Sequence, residues 1–236
     1  MARVVSNKKL SGDFYLIKIE EENNARMGQF YMLRAWDTFP VLSRPISVYD
    51  ADEYTLSFLY KVTGRGTGIF SMLKTGSDIT VQGPLGSGFP NVKGKIALVG
   101  GGVGIAPFYL TAKSLLEFDP GNQIDIYLGF SDDVVLIEDF NRISRNLIVD
   151  VGGFITDKIE PGKYDVIFTC GPEIMMKVLY EKCRASHCAQ NLYVSVENRM
   201  ACGIGACLVC TCKNKSGNKK ACKDGPVFPA EEVFGK

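Results

Sequence analysis

Histidine is nearly absent from this chain of 236 residues, which contains only His187. A hydrolytic triad uses a histidine as its general base, and a histidine-rich zinc site needs several of them. The single histidine lies between Cys183 and Cys188 on a predicted helix. The sequence therefore argues against both kinds of site.

An excess of charge and a long apolar run are also missing. The 27 Lys and Arg residues nearly balance the 26 Asp and Glu residues, for a formal charge of +1, so we expect no nucleic-acid partner. The longest uncharged stretch, residues 96–112, is glycine-rich and shorter than the ~20 residues of a membrane span. The N-terminal segment reaches lysines before any apolar core of a signal peptide, which predicts a cytoplasmic protein without a membrane partner.

Cysteine and glycine are abundant by contrast, with 8 and 25 residues. In a chain expected to stay in the cytoplasm, cysteines point to metal or redox chemistry rather than to disulfides. Glycines allow the backbone to approach a ligand closely. The composition thus favours a protein that binds a metal or redox group together with other ligands.

Hydrophobic patterning divides the chain into three parts, an all-β part, an α/β part and a small lobe. Residues 1–92 read as short alternating strands with glycine-rich turns, which predicts an antiparallel β-barrel. Residues 93–190 alternate strands with helices and predict a parallel sheet, whose last helix would bury Met175, Val178, Leu179 and Cys183. Residues 191–236 have little apolar periodicity and would need a metal as a staple.

The cysteine spacing in the third part is the most specific signal. Cys202-x4-Cys207-x2-Cys210 followed by a distant Cys222 has the order of plant-type 2Fe-2S ligation. The alternative is a lobe held together by zinc. It is the weaker interpretation, because structural zinc usually takes two CxxC-like turns and only one is present. Cys212 fits no ligand position and is interpreted as a spare thiol. The nearby lysines are interpreted as a solvated face rather than a docking patch: Lys213, Lys215, Lys219, Lys220 and Lys223.

Two segments of the α/β part suit a nucleotide. Gly100, Gly101, Gly102 and Gly104 follow an apolar strand and precede a helix, where backbone N–H groups bind a diphosphate; a tight turn without ligand is the alternative. Residues 170–172, Cys-Gly-Pro, end the last predicted parallel strand at the sheet edge where such folds bind ligands. Cys170 alone would equally suit a small buried apolar residue.

In the barrel, residues 44–47 and 64–68 combine arginine, hydroxyl groups and glycine-rich backbone, which suits a diphosphate. Together these segments resemble the ferredoxin-NADP reductase superfamily over about residues 1–190, a flavin-binding barrel followed by a nicotinamide-binding domain. Arg-Pro-Ile-Ser at 44–47 resembles its flavin motif, and Cys-Gly-Pro at 170–172 its nicotinamide-side motif. Ile46 replaces the tyrosine that many members pack on the flavin ring, and Tyr60 is the candidate substitute.

The C-terminal cysteine segment, residues 191–236, narrows the resemblance to one family within this superfamily. Residues 199–210 and 222–228 closely resemble the electron-transfer subunits of NAD-dependent, class 1B dihydroorotate dehydrogenases. That family implies a heterotetramer with two FMN-containing catalytic subunits, in which electrons pass from dihydroorotate through FMN, a 2Fe-2S cluster and FAD to NAD during pyrimidine biosynthesis. Nothing in the sequence looks like a dihydroorotate site of its own.

The resemblance also implies the site residues. The cluster ligands would be Cys202, Cys207, Cys210 and Cys222. The residues on FAD would be Arg44, Pro45, Ile46, Ser47, Leu59, Tyr60, Lys61, Gly66 and Thr67. The placement of the two nucleotide segments adds Gly100, Gly101, Gly102, Gly104, Gly171 and Pro172 as candidates for NAD, with Cys170 as the candidate catalytic residue.

Two other functions stay open. The first is a reductase on the same scaffold that passes electrons from NAD(P)H to a ferredoxin, an oxygenase or a hydrogenase. The second is a nucleotide-binding module with zinc in its tail and no redox activity. NAD is preferred to NADP mainly by the resemblance, with weak support from Asp132 and Asp133, whose carboxylates would repel a 2′-phosphate.

Overall fold

The computed structural model describes residues 1–235, and its first half is a seven-stranded antiparallel sheet. Its strands are β1 (Ala2–Lys9), β2 (Phe14–Glu20), β3 (Phe30–Arg34), β4 (Arg44–Ser47), β5 (Asp50–Ala51), β6 (Thr55–Lys61) and β7 (Asp78–Leu85). They lie in the order β4-β3-β7-β1-β2-β6-β5 around a core that includes Ile17, Leu33 and Phe58. Helix α1 (Arg65–Ser71) adds Phe70 to this core, which gives a barrel-like domain.

The rest of the chain forms a six-stranded sheet with helices, and a small hairpin is inserted in the sequence before the last strand of this sheet. Its strands are β8 (Lys95–Gly101), β9 (Gln123–Phe130), β10 (Asn146–Val151), β11 (Val166–Cys170), β12 (Leu192–Ser195), β13 (Thr211–Asn214), β14 (Gly217–Lys220) and β15 (Val227–Pro229). Its α-helices are α2 (Phe108–Phe118), α3 (Ile137–Ile143), α4 (Glu173–Ala185) and α5 (Ala230–Phe234). Short 3-10 helices cover Gly102–Ile105, Ile155–Asp157, Pro161–Lys163 and Ala189–Asn191.

The second sheet has the order β10-β9-β8-β11-β12-β15. All neighbours are parallel except β15, which runs antiparallel to β12, and β13 pairs only with β14. The predicted fold class is confirmed, with an antiparallel barrel-like sheet, a largely parallel sheet with crossover helices, and a C-terminal cysteine-bearing segment.

Local patterning located most elements between β2 and α4 but missed β1, β5, α3 and the elements after residue 190. Strand β1 was not predicted, because its second half is polar and half its side chains are exposed. The predicted apolar face of α4 was wrong at one position, since Val178 is exposed and Met176 and Tyr180 are buried with Leu179 and Cys183.

The division at residues 92 and 190 stays a prediction. Strands β12 and β15 and helix α5 come after residue 190, yet they extend and cover the second sheet. The cysteine segment therefore leaves this sheet after Ser195 and returns to it at Val227.

The two large domains share one apolar core. The ring of Phe89 stacks on Phe168 with centroids 4.5 Å apart, and Tyr49 stacks on Tyr109 at 4.9 Å. The Leu110 N–H also donates to the Tyr49 carbonyl oxygen at 2.8 Å. These contacts hold the carboxyl edge of the second sheet against the barrel. Among residues 1–235, no helix has both the length and the apolarity to cross a bilayer.

Candidate functional site

A cavity of about 310 Å³, here called the barrel cavity, opens where β4, β6 and α1 meet the second sheet. Eight of the nine residues predicted for FAD line it. They are Arg44, Pro45, Ile46, Ser47, Leu59, Tyr60, Lys61 and Thr67. The structure thus brings together strands from opposite sides of the sheet order, since β4 is the edge strand at one end and β6 lies next to the edge strand β5 at the other.

The ninth residue, Gly66, sets the position of Arg44. A Cβ at Gly66 would lie 2.7 Å from Arg44 Nε and 3.0 Å from Trp36 Cη2, so only glycine leaves room for the arginine. The guanidinium of Arg44 lies 5.5 Å from the centroid of the Trp36 ring, which in turn stacks on Phe70. Trp36 is a supporting residue that sequence reasoning missed.

Thr67 builds the start of α1. Its hydroxyl accepts hydrogen bonds from the N–H groups of Thr63 and Gly64, at 3.0 and 3.2 Å, and donates to the Gly64 carbonyl oxygen. These bonds fix the loop that precedes the helix beside Arg44. The arrangement supplies a cation and ordered backbone donors at one wall of the barrel cavity.

Tyr60 is not placed as an open platform for a flavin ring. Its side chain is 2% exposed, stacks on Tyr15 at 5.5 Å and donates its hydroxyl hydrogen to Asn7 Oδ1 at 3.1 Å. Desolvation by burial raises the pKa of its hydroxyl strongly. The ring thus packs in the barrel core while it also lines the barrel cavity, and the suggestion that it replaces the missing tyrosine stays a prediction.

A second cavity of about 600 Å³, here called the sheet-edge cavity, lies at the carboxyl ends of β8 and β11. Five of the predicted nucleotide residues line it, namely Gly101, Gly102, Gly104, Gly171 and Pro172. Gly100 lies behind them, where a Cβ would meet Ile105 at 2.9 Å. A Cβ at Gly104 would lie 2.5 Å from the Gly171 Cα, so the two glycine segments pack directly on each other.

Cys170 is not a lining residue of either cavity. It is 2% exposed at the end of β11, where desolvation raises the pKa of its thiol strongly and a hydrogen bond with Ser195 only partly opposes this effect. The thiol is therefore neutral. A catalytic role for Cys170 stays a prediction.

The two cavities share a wall formed by Val103, Val196, Glu197 and Asn198. Desolvation raises the pKa of the Glu197 carboxyl above its usual value. Sequence reasoning missed residues 196–198. They follow the parallel strand β12, and the rule that ligands bind at carboxyl ends of parallel strands would have found them had β12 been predicted.

The four cysteines lie around one loop as two pairs. The Cys207 N–H donates to Cys202 Sγ at 3.4 Å, and Cys210 Sγ lies 3.2 Å from Cys222 Sγ. The Cys222 N–H also donates to Cys210 Sγ at 3.5 Å. Within residues 1–235, no group of three or more His, Cys, Asp or Glu side chains surrounds a single metal-ion position.

This arrangement fits a 2Fe-2S cluster, whose two irons take four cysteine sulfurs in all. Gly203 and Gly205 adopt φ values of +73° and +82°, which side chains disfavour, and so let the loop turn around the sulfurs. Backbone hydrogen bonds from Cys207 and Ile204 lower the pKa of Cys202 to about 6. Burial raises the pKa of Cys222 to about 12.

The inner side of the cysteine loop packs on the barrel. Cys210 and Cys222 are buried in a small apolar cluster with Phe30, Met32 and Met200. Phe30 and Met200 also line the barrel cavity, so a single layer of side chains separates that cavity from the cysteines. Cys212, outside the four, lies on the hairpin and lines the sheet-edge cavity.

The outer side of the loop is exposed and apolar. Ile204, Leu208 and Val209 are 58%, 62% and 50% exposed, and Cys207 between them is also exposed. An exposed apolar patch around a cysteine loop is the kind of surface that a protein partner covers.

Comparison with known proteins agrees with this geometry. Residues 197–234 match the iron-sulfur cluster binding domain of dihydroorotate dehydrogenase B. The chain is 45% identical over 242 residues to the dihydroorotate dehydrogenase B (NAD(+)) electron transfer subunit of Clostridium acetobutylicum, covering 98% of this chain and 96% of that protein. The corresponding subunit of Clostridium perfringens is 41% identical, with the same coverage.

Solved structures show the same fold. A chain from the structure of an NADH-dependent reduced ferredoxin-NADP oxidoreductase superposes with a TM-score of 0.87 and 31% identity, covering 99% of this chain and 89% of that one. A cytochrome P450 reductase from Amycolatopsis superposes with a TM-score of 0.72 at 21% identity, over 82% of this chain and 68% of that one, and shares the fold alone. On the identity and coverage of its relatives, this chain belongs to the family of dihydroorotate dehydrogenase B (NAD(+)) electron transfer subunits.

Proposed function

We propose that this chain relays electrons from the FMN of a dihydroorotate-oxidising catalytic subunit, through a 2Fe-2S cluster and FAD, to NAD in pyrimidine biosynthesis. The observation that carries the proposal is the adjacency of three sites. The barrel cavity shares a wall with the sheet-edge cavity on one side and the Phe30–Met200 layer with the cysteine loop on the other. A relay needs this order, with the flavin in the middle.

The site residues would bind three groups, FAD, NAD and the cluster. FAD would be held by the lining residues of the barrel cavity, with Arg44 on its diphosphate and Gly66 and Thr67 shaping the loop beside it. NAD would lie in the sheet-edge cavity against the glycines at the ends of β8 and β11, with Cys170 supporting them from behind. The cluster ligands would be Cys202, Cys207, Cys210 and Cys222.

A flavin, when bound, exchanges a hydride with nicotinamide and single electrons with an iron–sulfur cluster. The protein's own contribution is positioning and exclusion of water. Val103 and Val196 line both cavities, so FAD and NAD would lie next to each other there. Phe30 and Met200 would keep solvent out of the space between the flavin and the cluster.

The partner would dock on the exposed apolar face of the cysteine loop. Ile204, Leu208 and Val209 surround Cys207 there, so the interface would bury the exposed edge of the cluster. We propose two copies of this chain with two catalytic subunits. The assembly would be cytoplasmic, where the cysteines stay reduced for cluster assembly.

A second candidate function is transfer of electrons between NAD(P)H and a ferredoxin-linked partner. The 31% identity and near-complete coverage of a chain from a ferredoxin-NADP oxidoreductase favour it. The relatives that carry the dihydroorotate dehydrogenase name are more similar in sequence, at 45% and 41% identity. They therefore favour the first function.

Analysis of the purified full chain tests the redox assignment. We expect iron, acid-labile sulfide and FAD in the protein, and anaerobic NADH should bleach both the flavin and the cluster absorbance. As a control for a zinc site, the protein is incubated with EDTA and its zinc content is measured. A colourless protein that contains zinc and no flavin would contradict the proposal.

A further inference from the structure

We propose that Lys213, on the hairpin of the cysteine segment, binds the diphosphate of the nicotinamide dinucleotide. Lys213 lies on β13 and lines the sheet-edge cavity together with the glycines of β8 and β11. The inference rests on the proposed function, because it takes this cavity as the dinucleotide site. For Lys213 alone it goes beyond the interpretation of the lysines as a solvated face, which stays a prediction for the others.

The charges that line the cavity support this role. Its described lining side chains include two carboxylates, Glu173 and Glu197, and one cation, Lys213. A dinucleotide diphosphate carries two negative charges, so without the ammonium group the cavity would repel it. Lysine is a common phosphate ligand that acts as a point charge.

The hairpin holds Lys213 in place through its neighbours. Lys215 forms an ion pair with Glu231 at 3.2 Å, and its N–H donates to the Glu232 carbonyl oxygen at 2.8 Å. Asn214 is buried beside the same helix, α5. Lys213 differs from Lys215 because, within the described chain, its ammonium forms no ion pair. A ligand can therefore bind the Lys213 ammonium group without breaking a salt bridge.

The opposite wall supplies complementary groups. Gly102 has a φ of +57°, and no heavy atom lies within 4 Å of the position of a Cβ there, so the backbone is open to the cavity. Backbone N–H groups in such a turn bind phosphate oxygens. A diphosphate between Gly102 and Lys213 would thus be contacted from both domains that form the cavity.

This placement also connects the dinucleotide site to the cluster. Lys213 belongs to the strand that begins directly after Cys210, and β13 pairs with β14, which leads to Cys222. One segment thus supplies the cluster ligands and closes the dinucleotide cavity. Loss of the segment would impair both sites.

Calorimetric titration of ADP-ribose into the full chain, loaded with FAD and cluster, tests the inference. We expect Lys213→Gln to weaken ADP-ribose binding about tenfold, and Lys213→Arg to stay within about threefold of wild type, because arginine retains the charge. Lys219→Gln, on the paired strand and outside the cavity, is the matched control and should bind as wild type does. Added salt should weaken binding to the wild type more than to Lys213→Gln.

Flavin absorbance and the cluster spectrum should be the same in all variants, which shows that the protein is folded and loaded. Equal ADP-ribose affinity of wild type and Lys213→Gln would overturn the role of Lys213 and leave the proposed function standing. Equal weakening of ADP-ribose binding by Lys219→Gln would also overturn it, because the loss of any positive charge on the hairpin would then have the same effect. Failure of the wild type to bind ADP-ribose would overturn both the inference and the assignment of the cavity to NAD.

Discussion

Cys210 Sγ and Cys222 Sγ lie 3.2 Å apart although the hairpin β13–β14 separates them in the chain. The hairpin returns the backbone so that the Ala221 N–H donates to the Cys210 carbonyl oxygen at 3.1 Å. The second sulfur pair, Cys202 and Cys207, closes within one short loop. Local turns thus bring the four cysteines together as two pairs, with the buried pair toward the barrel cavity and Cys207 toward solvent.

The exposed cysteine gives the first prediction. We expect Cys207→Ser to prevent assembly of an intact cluster while NADH still reduces FAD, because Cys207 lines neither cavity. Electron transfer to the catalytic subunit should be abolished. Stopped-flow reduction at the flavin band and iron analysis measure the two effects, with Cys212→Ser as the control that keeps its iron. Loss of flavin reduction in a folded, FAD-loaded variant would contradict the division of the sites.

The arginine of the barrel cavity gives the second prediction. Arg44→Ala removes a cation from the cavity wall and should lower FAD affinity by about tenfold, because charge-assisted bonds to a diphosphate are among the stronger ones. Flavin content after dialysis measures the loss. Arg142→Ala, which removes a surface arginine paired with Glu138 on α3, should keep its flavin. Full flavin retention in Arg44→Ala would show that the diphosphate lies elsewhere.

The apolar patch gives the third prediction. Leu208→Asn should weaken association with the catalytic subunit by about 1–2 kcal/mol, less than the ~1.5–3 kcal/mol of burying a whole large apolar side chain, because Leu208 is 62% exposed and so already partly buried. Asparagine suits this position because Leu208 has a φ of +61°, so the loop should keep its shape. Co-purification and titration by size-exclusion chromatography measure the effect, provided the cluster spectrum is retained. Phe154→Asn, at an exposed site away from the loop, is the control, and equal association of both variants with the partner would refute the docking surface.

Cys170 gives the fourth prediction. If it supports the nicotinamide from behind the glycines, Cys170→Ala should slow reduction of FAD by NADH by about tenfold through misplacement of the ligand, with FAD content unchanged. The carbonyl oxygen of Cys170 would lie 2.6 Å from a Cβ at Gly104, so this residue packs directly under the glycine segment. Single-turnover measurements of flavin reduction give the rate. An unchanged rate would remove Cys170 from the hydride-transfer step.

The sequence predicted those features of the fold and the site that depend on short segments of the chain. The cysteine spacing and the strand–glycine–helix segments depend on short turns, so their residue types and intervals are diagnostic. The pairing of Ser195 with Val227 and the cavity wall at Lys213 depend on contacts between distant segments. No periodicity within either segment indicates such contacts. The face of α4 was misassigned because Val178 and Met176 are both apolar, and only packing decides which one is buried.

A buried carboxylate gives the fifth prediction, on stability. Asp125 accepts hydrogen bonds from Arg145, Tyr164 and Asn146 at 2.5–2.9 Å. Burial alone would raise its pKa, but these bonds outweigh burial and hold the pKa below the ordinary 3.8. Asp125→Asn should lower the free energy of unfolding by about 2 kcal/mol at pH 7, since it removes charge-assisted bonds.

The pH dependence of this effect follows from the lowered pKa. The stabilisation is fully present above the ordinary pKa of 3.8 and is lost as the pH falls through the lower value of the folded state. Urea unfolding of wild type and Asp125→Asn should therefore differ at pH 7 and converge below about pH 3. A difference that is constant over this range would show that the charge of Asp125 is not what stabilises the fold.

Orotate formation tests the central claim most directly. The full chain is co-expressed with the FMN-containing catalytic subunit from the same genome, and NAD-dependent oxidation of dihydroorotate is measured with each subunit alone and with both. The account predicts that NAD reduction requires both subunits and that they purify as one complex. A pair that forms no orotate with NAD, while this chain still oxidises NADH with an artificial dye, would contradict the relay to dihydroorotate and favour a ferredoxin-linked reductase.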